Sequence, residues 1–160
     1  ASVERSLQRS LRDLHTDYLD LVLIHSDGND LHILESTECV ETLMRAKEKG
    51  LVRAIGLSGK TVEGGIRALE LMDVAMVTFN RSTTVEEPVI DYAAINNKGI
   101  LIKKVFDSGH IASGADDSRL ALEFALNKDG VSSVIVGTIN PAHLRSNVET
   151  AVNALSGEGA

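Results

Sequence analysis

Five short apolar runs, Leu19–Ile24, Leu51–Leu57, Val74–Phe79, Gly99–Lys104 and Val131–Val136, recur with about one helix of sequence between each and the next. That spacing predicts strands alternating with helices, because a strand that returns parallel to its neighbour needs a crossover of about a dozen residues or more. The runs are rich in leucine and β-branched residues and nearly continuously apolar rather than alternating. This is the pattern of strands covered on both faces, as in a parallel sheet flanked by helices.

The intervening segments carry helix signals of their own. Val3, Leu7, Leu11 and Leu14 share one face of a first helix, with Arg5, Gln8, Arg9 and Arg12 left for solvent. A second, from about Ser36 to Lys49, turns Val40, Leu43 and Met44 inward, and Gly50 supplies a left-handed stop. Thr61 is a good N-cap for a third, which carries Ile66, Leu69 and Met72 and is weakened by Gly64-Gly65. The fourth has Pro88 in its first turn, Val89, Tyr92 and Ala93 along it and Gly99 at its end. A fifth spans Ser118 to Lys128, and a sixth runs from Pro141 to about Leu155, with a frayed tail after it. No linker interrupts them, so residues 1–160 read as a single domain.

Composition narrows the classes of partner. With 160 residues, 43% hydrophobic content and two prolines, the chain can bury a real core. A formal net charge of -7 without a basic stripe argues against nucleic acid and against anionic membrane surfaces. No apolar run reaches the roughly 18 residues of a membrane span, and the opening ASVERSLQRS is amphipathic rather than signal-like. The lone Cys39 gives no disulfide framework, which fits a reducing compartment and makes the cytoplasm the expected location. Asp27, Asp30 and His32 match no standard metal spacing and read as a solvated loop.

Repeated parallel units suit either a doubly wound sheet or a (β/α)8 barrel. No G-x-G-x-x-G follows the first run, as a dinucleotide fold of the first kind would show. A barrel gathers its functional groups at strand carboxyl ends. Here those ends read His25-Ser26-Asp27, Ser58-Gly59-Lys60, Asn80-Arg81-Ser82, Lys103-Lys104 and Gly137-Thr138.

These residues also carry a family resemblance. The stretch from Asp13 to His25, DLHTDYLDLVLIH, resembles the helix, T-D-Y-x-D strand and terminal histidine of the aldo-keto reductases. Val52 to Ser58, VRAIGLS, is similar to that family's next strand, and Val136 to Val148, VGTINPAHLRSNV, to its last strand and phosphate-gripping helix. The resemblance implies a TIM (β/α)8 barrel, of which this chain holds about five of eight βα units. It implies reduction of an aldehyde or ketone, a small-molecule carbonyl substrate, with NADP, or alternatively NAD, as cofactor. His25 would orient the substrate carbonyl, Ser58 would meet the cofactor carboxamide, and Lys104, a basic group at a strand end, would also bind the cofactor. Gly137, Thr138, Asn140, His143, Arg145 and Asn147 would hold the cofactor phosphates.

Elementary chemistry supports two of these assignments. An imidazole fixed on a strand top can donate a hydrogen bond to a developing alkoxide near neutral pH, although a structural histidine bonded to a loop carbonyl would look the same. Asn140 as N-cap with Pro141 as first residue opens a helix just past the last strand, where free N–H groups and the helix dipole attract phosphate. Of Lys103 and Lys104, one should face the barrel mouth and the other the helix layer. The stretch from Asp107 to Gly114 reads as a glycine-rich loop, either one that closes over a pyrophosphate or one that is simply mobile, with closure the expectation.

The chain also departs from the family pattern. Gly59 follows Ser58 where relatives have asparagine, Met76 stands where a glutamine is common, Gly137 replaces a basic residue that grips a 2′-phosphate, and His143 replaces an arginine. Of the family's aspartate, tyrosine, lysine and histidine, only His25 has a counterpart here. Five strands leave two open sheet edges, so a missing amino-terminal half or self-association is expected to complete the barrel. The alternative reading is a catalytically silent or truncated nucleotide-binding homologue.

Overall fold

β-Branched runs and capped amphipathic segments alternate as expected in the computed structural model, which describes residues 2–107 and 115–156. The chain forms two compact units, Ala1–Ala75 and Met76–Ala160. The glycine-rich stretch expected to close over a pyrophosphate lies, from Ser108 to Gly114, outside the described residues.

In the first unit the order is α1 (Ser2–Asp13), β1 (Leu19–His25), α2 (Asp30–Ser36), α3 (Cys39–Glu48), β2 (Val52–Ser58) and α4 (Val62–Leu71). β1 and β2 pair in parallel, from Leu19 opposite Val52 to His25 opposite Ser58. Leu7, Leu11, Leu34, Val40, Leu43, Ala46, Ile55, Leu57, Ala68 and Met72 close a core over one face of this pair. Each such aliphatic side chain of leucine size contributes about 1.5–3 kcal/mol of burial. Gly50, at φ +73°, ends the segment after α3 as expected. Thr61 caps α4, its side chain accepting a hydrogen bond from the Gly64 N–H at 3.1 Å.

Several expectations are corrected. Residues 30–36 form a helix rather than a solvated loop, and Asp30 is buried. The helix expected from Ser36 starts at Cys39, and Leu14 and Met44 face solvent because α1 ends at Asp13 and Met44 lies off the buried face of Val40, Leu43 and Ala46. Burial on both faces holds for most of β2 alone; β1 is half-exposed along most of its length.

β3 (Val74–Thr78) follows α4, and the second unit continues with α5 (Glu87–Asn96), β4 (Gly99–Lys103), α6 (Ala115–Leu126), β5 (Ser133–Val134) and α7 (Pro141–Ser156). β3 and β4 alternate: Ala75, Val77, Ile100 and Ile102 are buried, while Met76, Thr78, Leu101 and Lys103 are half-exposed. α5 ends at Asn96 with Asn97 in the left-handed conformation, two residues before the expected end at Gly99. β5 pairs in parallel with β4 through Leu101–Ser133 and Ile102–Val134, and is shorter than the apolar run it came from. No helix among the described residues is long and apolar enough to cross a membrane.

Candidate functional site

The carboxyl ends of β1 and β2 are built as one rim. His25 ends β1 with its side chain exposed, directly opposite Ser58, which ends β2 and is buried. Beyond the ladder, the Ser26 N–H donates to the Ser58 carbonyl at 3.1 Å, so the pairing runs one residue past the histidine. The chain then turns through Asp27, whose carboxylate accepts from the Asn29 N–H at 2.9 Å. That bond to the Asn29 backbone holds the Asp27 carboxyl below its ordinary value.

Asp30 is the buried centre of this rim. Its Oδ2 accepts from the Lys60 N–H and the Thr61 N–H, both at 2.8 Å, and from Thr61 Oγ1 at 2.9 Å. Its Oδ1 accepts from Ser26 Oγ. Burial raises the carboxyl's pKa, but the bonds from Ser26, Lys60 and Thr61 together outweigh it and leave the group below its ordinary value. A carboxylate depressed in the folded state stabilises the fold above its unfolded pKa near 3.8, and that contribution is lost as pH falls through the lower folded value. Urea midpoints measured from about pH 6 down to about pH 3 should therefore show the advantage of the native chain over Asp30→Asn shrinking below about pH 4. A constant difference would remove this role for the charge.

In the second unit Asn80 organises the strand-end loop. Its Oδ1 accepts from the Ser82 and Thr83 N–H groups at 2.9 and 2.8 Å, and its Nδ2 donates to the Lys104 carbonyl at 2.9 Å. Lys104 lies one residue beyond β4 in the left-handed conformation, φ +57°, with its side chain exposed. Lys103 shares the half-exposed side of β4 with Leu101. The two lysines thus divide between strand and loop.

The last strand leads into an anion-ready helix end. Thr138 Oγ1 accepts from the Asn140 N–H at 3.2 Å, and Asn140 Oδ1 caps α7 by accepting from the Ala142 N–H at 2.9 Å. The Leu144 N–H bonds the Asn140 carbonyl and Pro141 has no N–H. A phosphate at this end would therefore rely on the His143 N–H and on the exposed side chains of His143 and Arg145. Gly137 has open space where a Cβ would stand, whereas Asn147 turns inward and is 8% exposed. His25 and Ser58 thus meet in the first unit, and the stretch from Gly137 to Asn147 forms one strand-to-helix corner in the second.

Sequence reasoning missed Asp30 and Asn80. The signal for Asp30 was the Gly64-Gly65 pair, since glycine inside a helix commonly marks a close approach. A Cβ on Gly64 would stand 2.1 Å from the Asp30 Cβ.

The aldo/keto reductase family model matches residues 1–119. A methylglyoxal reductase, DkgB, of Salmonella typhimurium is 36% identical over 94 residues, covering 55% of this chain and 34% of the relative. A Pseudomonas aeruginosa structure solved as an aldo-keto reductase is 54% identical with a TM-score of 0.88, over 96% of this chain and 59% of its own. An aldo/keto reductase of Klebsiella pneumoniae, solved with NADP and acetate, shares the fold at 20% identity and a TM-score of 0.77, over 94% of this chain and 59% of its own. The chain thus spans about a third of the curated reductase and about three fifths of each solved chain.

Proposed function

Because the chain belongs to the aldo/keto reductase family, we propose that the whole protein reduces a small aldehyde or ketone with a nicotinamide cofactor in the cytoplasm. The observation that carries this reading is His25, exposed at the carboxyl end of β1 and in register with Ser58 at the end of β2. NADP is the proposed cofactor and NAD the alternative. The residues at the start of α7 suit a dinucleotide phosphate: a capped helix end, two basic side chains and open space at Gly137.

When bound, the nicotinamide ring supplies a hydride to the carbonyl carbon. His25 holds the carbonyl oxygen by a hydrogen bond that strengthens as negative charge develops there. Ser58 binds the carboxamide of the cofactor. In the second unit, the Gly137 to Asn147 corner binds a phosphate. The proton that the oxygen finally takes has no tyrosine donor on a strand end of this chain. Tyr18 precedes β1, with the Arg53 guanidinium 4.1 Å over its ring, and Tyr92 lies on α5.

A second reading is a homologue that binds nucleotide without turnover. NADPH titration followed by an aldehyde assay separates the two. Binding with turnover supports the reductase, and His25→Ala should then lower kcat by about 10²–10⁴ while NADPH affinity stays within about threefold. Binding without turnover supports the silent homologue. No binding by the whole protein removes both.

The reading also needs cover for apolar surface. Leu144, Val148, Val152 and Leu155 form a stripe along α7, each 50–69% exposed, and alternate positions of β3 and β4 are half-exposed. A companion amino-terminal segment or a second copy of the chain would bury them. Sedimentation of the 17.1 kDa chain as a concentration-independent monomer would exclude self-association.

A further inference from the structure

We propose that Asp30 is a positioning residue, whose carboxylate ties the turn after β1 to the turn after β2 and thereby sets the placement of His25 against Ser58. This rests on the reductase reading for its meaning, since those two residues are the ones that would meet carbonyl and carboxamide.

The connection is short in bonds and long in sequence. One carboxylate oxygen takes the Ser26 hydroxyl, next to His25; the other takes three donors from Lys60 and Thr61, two and three residues after Ser58. Ser26 in turn receives the Gly28 N–H at 2.9 Å and gives its own N–H to the Ser58 carbonyl. Ser26 is 0% and Asp30 1% exposed, so water cannot replace these bonds. Four donors converge on one charge, and each is stronger than a neutral pair would be.

The surrounding sequence is shaped to admit that carboxylate. A Cβ on Gly59 would approach Asp30 Oδ2 to 3.0 Å, and one on Gly64 would sit 2.1 Å from Asp30 Cβ. Glycine is a poorer helix former than alanine, yet α4 carries one at Gly64, where any Cβ would collide with Asp30. Capping alone does not explain the arrangement. Thr61 already caps α4 by accepting from Gly64, and Asp30 receives both the N–H and the hydroxyl of that capping residue. The helix end, the Ser58 turn and the His25 turn are therefore locked through one group. A glutamate would carry its carboxylate one methylene farther, into the space the two glycines leave only for aspartate.

The test compares Asp30→Ala, Asp30→Asn and Ser26→Ala in the intact chain. The readouts are the His25 imidazole and Ser58 amide resonances, NADPH affinity by fluorescence titration, and the thermal midpoint. Asp30→Ala should shift both resonances and weaken NADPH about tenfold or more. Asp30→Asn keeps an oxygen for the Lys60 and Thr61 donors, and should return both resonances and bring affinity within about threefold of native. Should Asp30→Ala fail to fold, Ser26→Ala removes the bond to Asp30 together with the Gly28 N–H bond within the same turn, leaves the Lys60 and Thr61 donors on Asp30, and should move the His25 resonance with Ser58 less affected. Resonances that stay at their native positions in the folded variants, with only the thermal midpoint lowered, would reduce Asp30 to a stability element and overturn the proposal. If the whole protein binds no NADPH, the reductase reading fails by itself, and the two resonances still decide whether Asp30 positions them.

Discussion

Gly56→Val should leave the chain unfolded in water, and Gly56→Ala should lower its stability by at least about 3 kcal/mol, at or beyond the upper end of ordinary overpacking. Gly56 lies in the middle of β2, between Ile55 and Leu57, which are 2% and 0% exposed. A Cβ there would stand 2.0 Å from the Val74 carbonyl oxygen, 2.8 Å from its carbon and 2.9 Å from Leu23 Cδ2. The leucine could rotate; the carbonyl could not. Its neighbour Asp73 is pinned to β2 from both sides, donating its N–H to the Ile55 carbonyl at 3.0 Å and accepting the Ile55 N–H on Oδ2 at 2.9 Å. Relief would therefore require the backbone to separate along a bonded edge. Against a total stability of about 5–15 kcal/mol, that loss is a large share. Gly137→Ala is the matched control, because nothing lies within 4 Å of its Cβ position, and it should change stability by less than about 0.5 kcal/mol. Urea midpoints at unchanged slope measure both. A Gly56→Ala chain with the native midpoint would contradict the close approach of β2 to Val74.

Where local chemistry decided the structure, the sequence was readable. Thr61, Asn140 with Pro141, and Gly50 mark helix ends through side-chain caps and a left-handed φ, and all three stand where their types predict. The ends of the first four strands were legible to within a residue for the same reason, since an apolar run stops where polar side chains begin; β5 stops at Val134, short of the expected Val136. α2 was not, because Asp27-Gly28-Asn29 reads as a turn and its seven residues bury only Asp30 and Leu34. Continuous apolar runs also concealed the alternation in β3 and β4: Met76 and Leu101 are as apolar as their buried neighbours, so periodicity gave no warning that their side is half-exposed. Asp30 was opaque for a different reason. Its partners Lys60 and Thr61 lie about thirty positions away, and a carboxylate solvated by backbone N–H groups leaves no charged partner in the sequence to betray it.

Arg145→Glu should weaken NADPH binding by about 10- to 100-fold while leaving the thermal midpoint unchanged or slightly raised. The two effects have opposite signs for one electrostatic reason. The amino end of α7 carries roughly +0.5 of a charge, and Pro141 to Ser156 has no acidic residue in its first turn. A cationic Arg145 near a positive helix end is mildly unfavourable to the helix, so replacing it by glutamate relieves this by at most about 0.3–1 kcal/mol. An anion at that end feels the reverse. One contact at about 4 Å in a partly hydrated site is worth about 1–4 kcal/mol, and reversal removes an attraction and adds a repulsion. Both arginine and replacement are exposed, so solvent places the net near the lower part of that range, hence the fold-change above. Raising the salt to about 1 M, where the Debye length is about 3 Å, should close most of the gap. NADH supplies the remaining control, since it lacks the 2′-phosphate. If Arg145 and His143 take over the grip that Gly137 lacks a side chain to provide, the loss is larger for NADPH than for NADH. An equal loss for both would place the arginine on the shared pyrophosphate, and no loss for either would detach this helix end from the cofactor altogether.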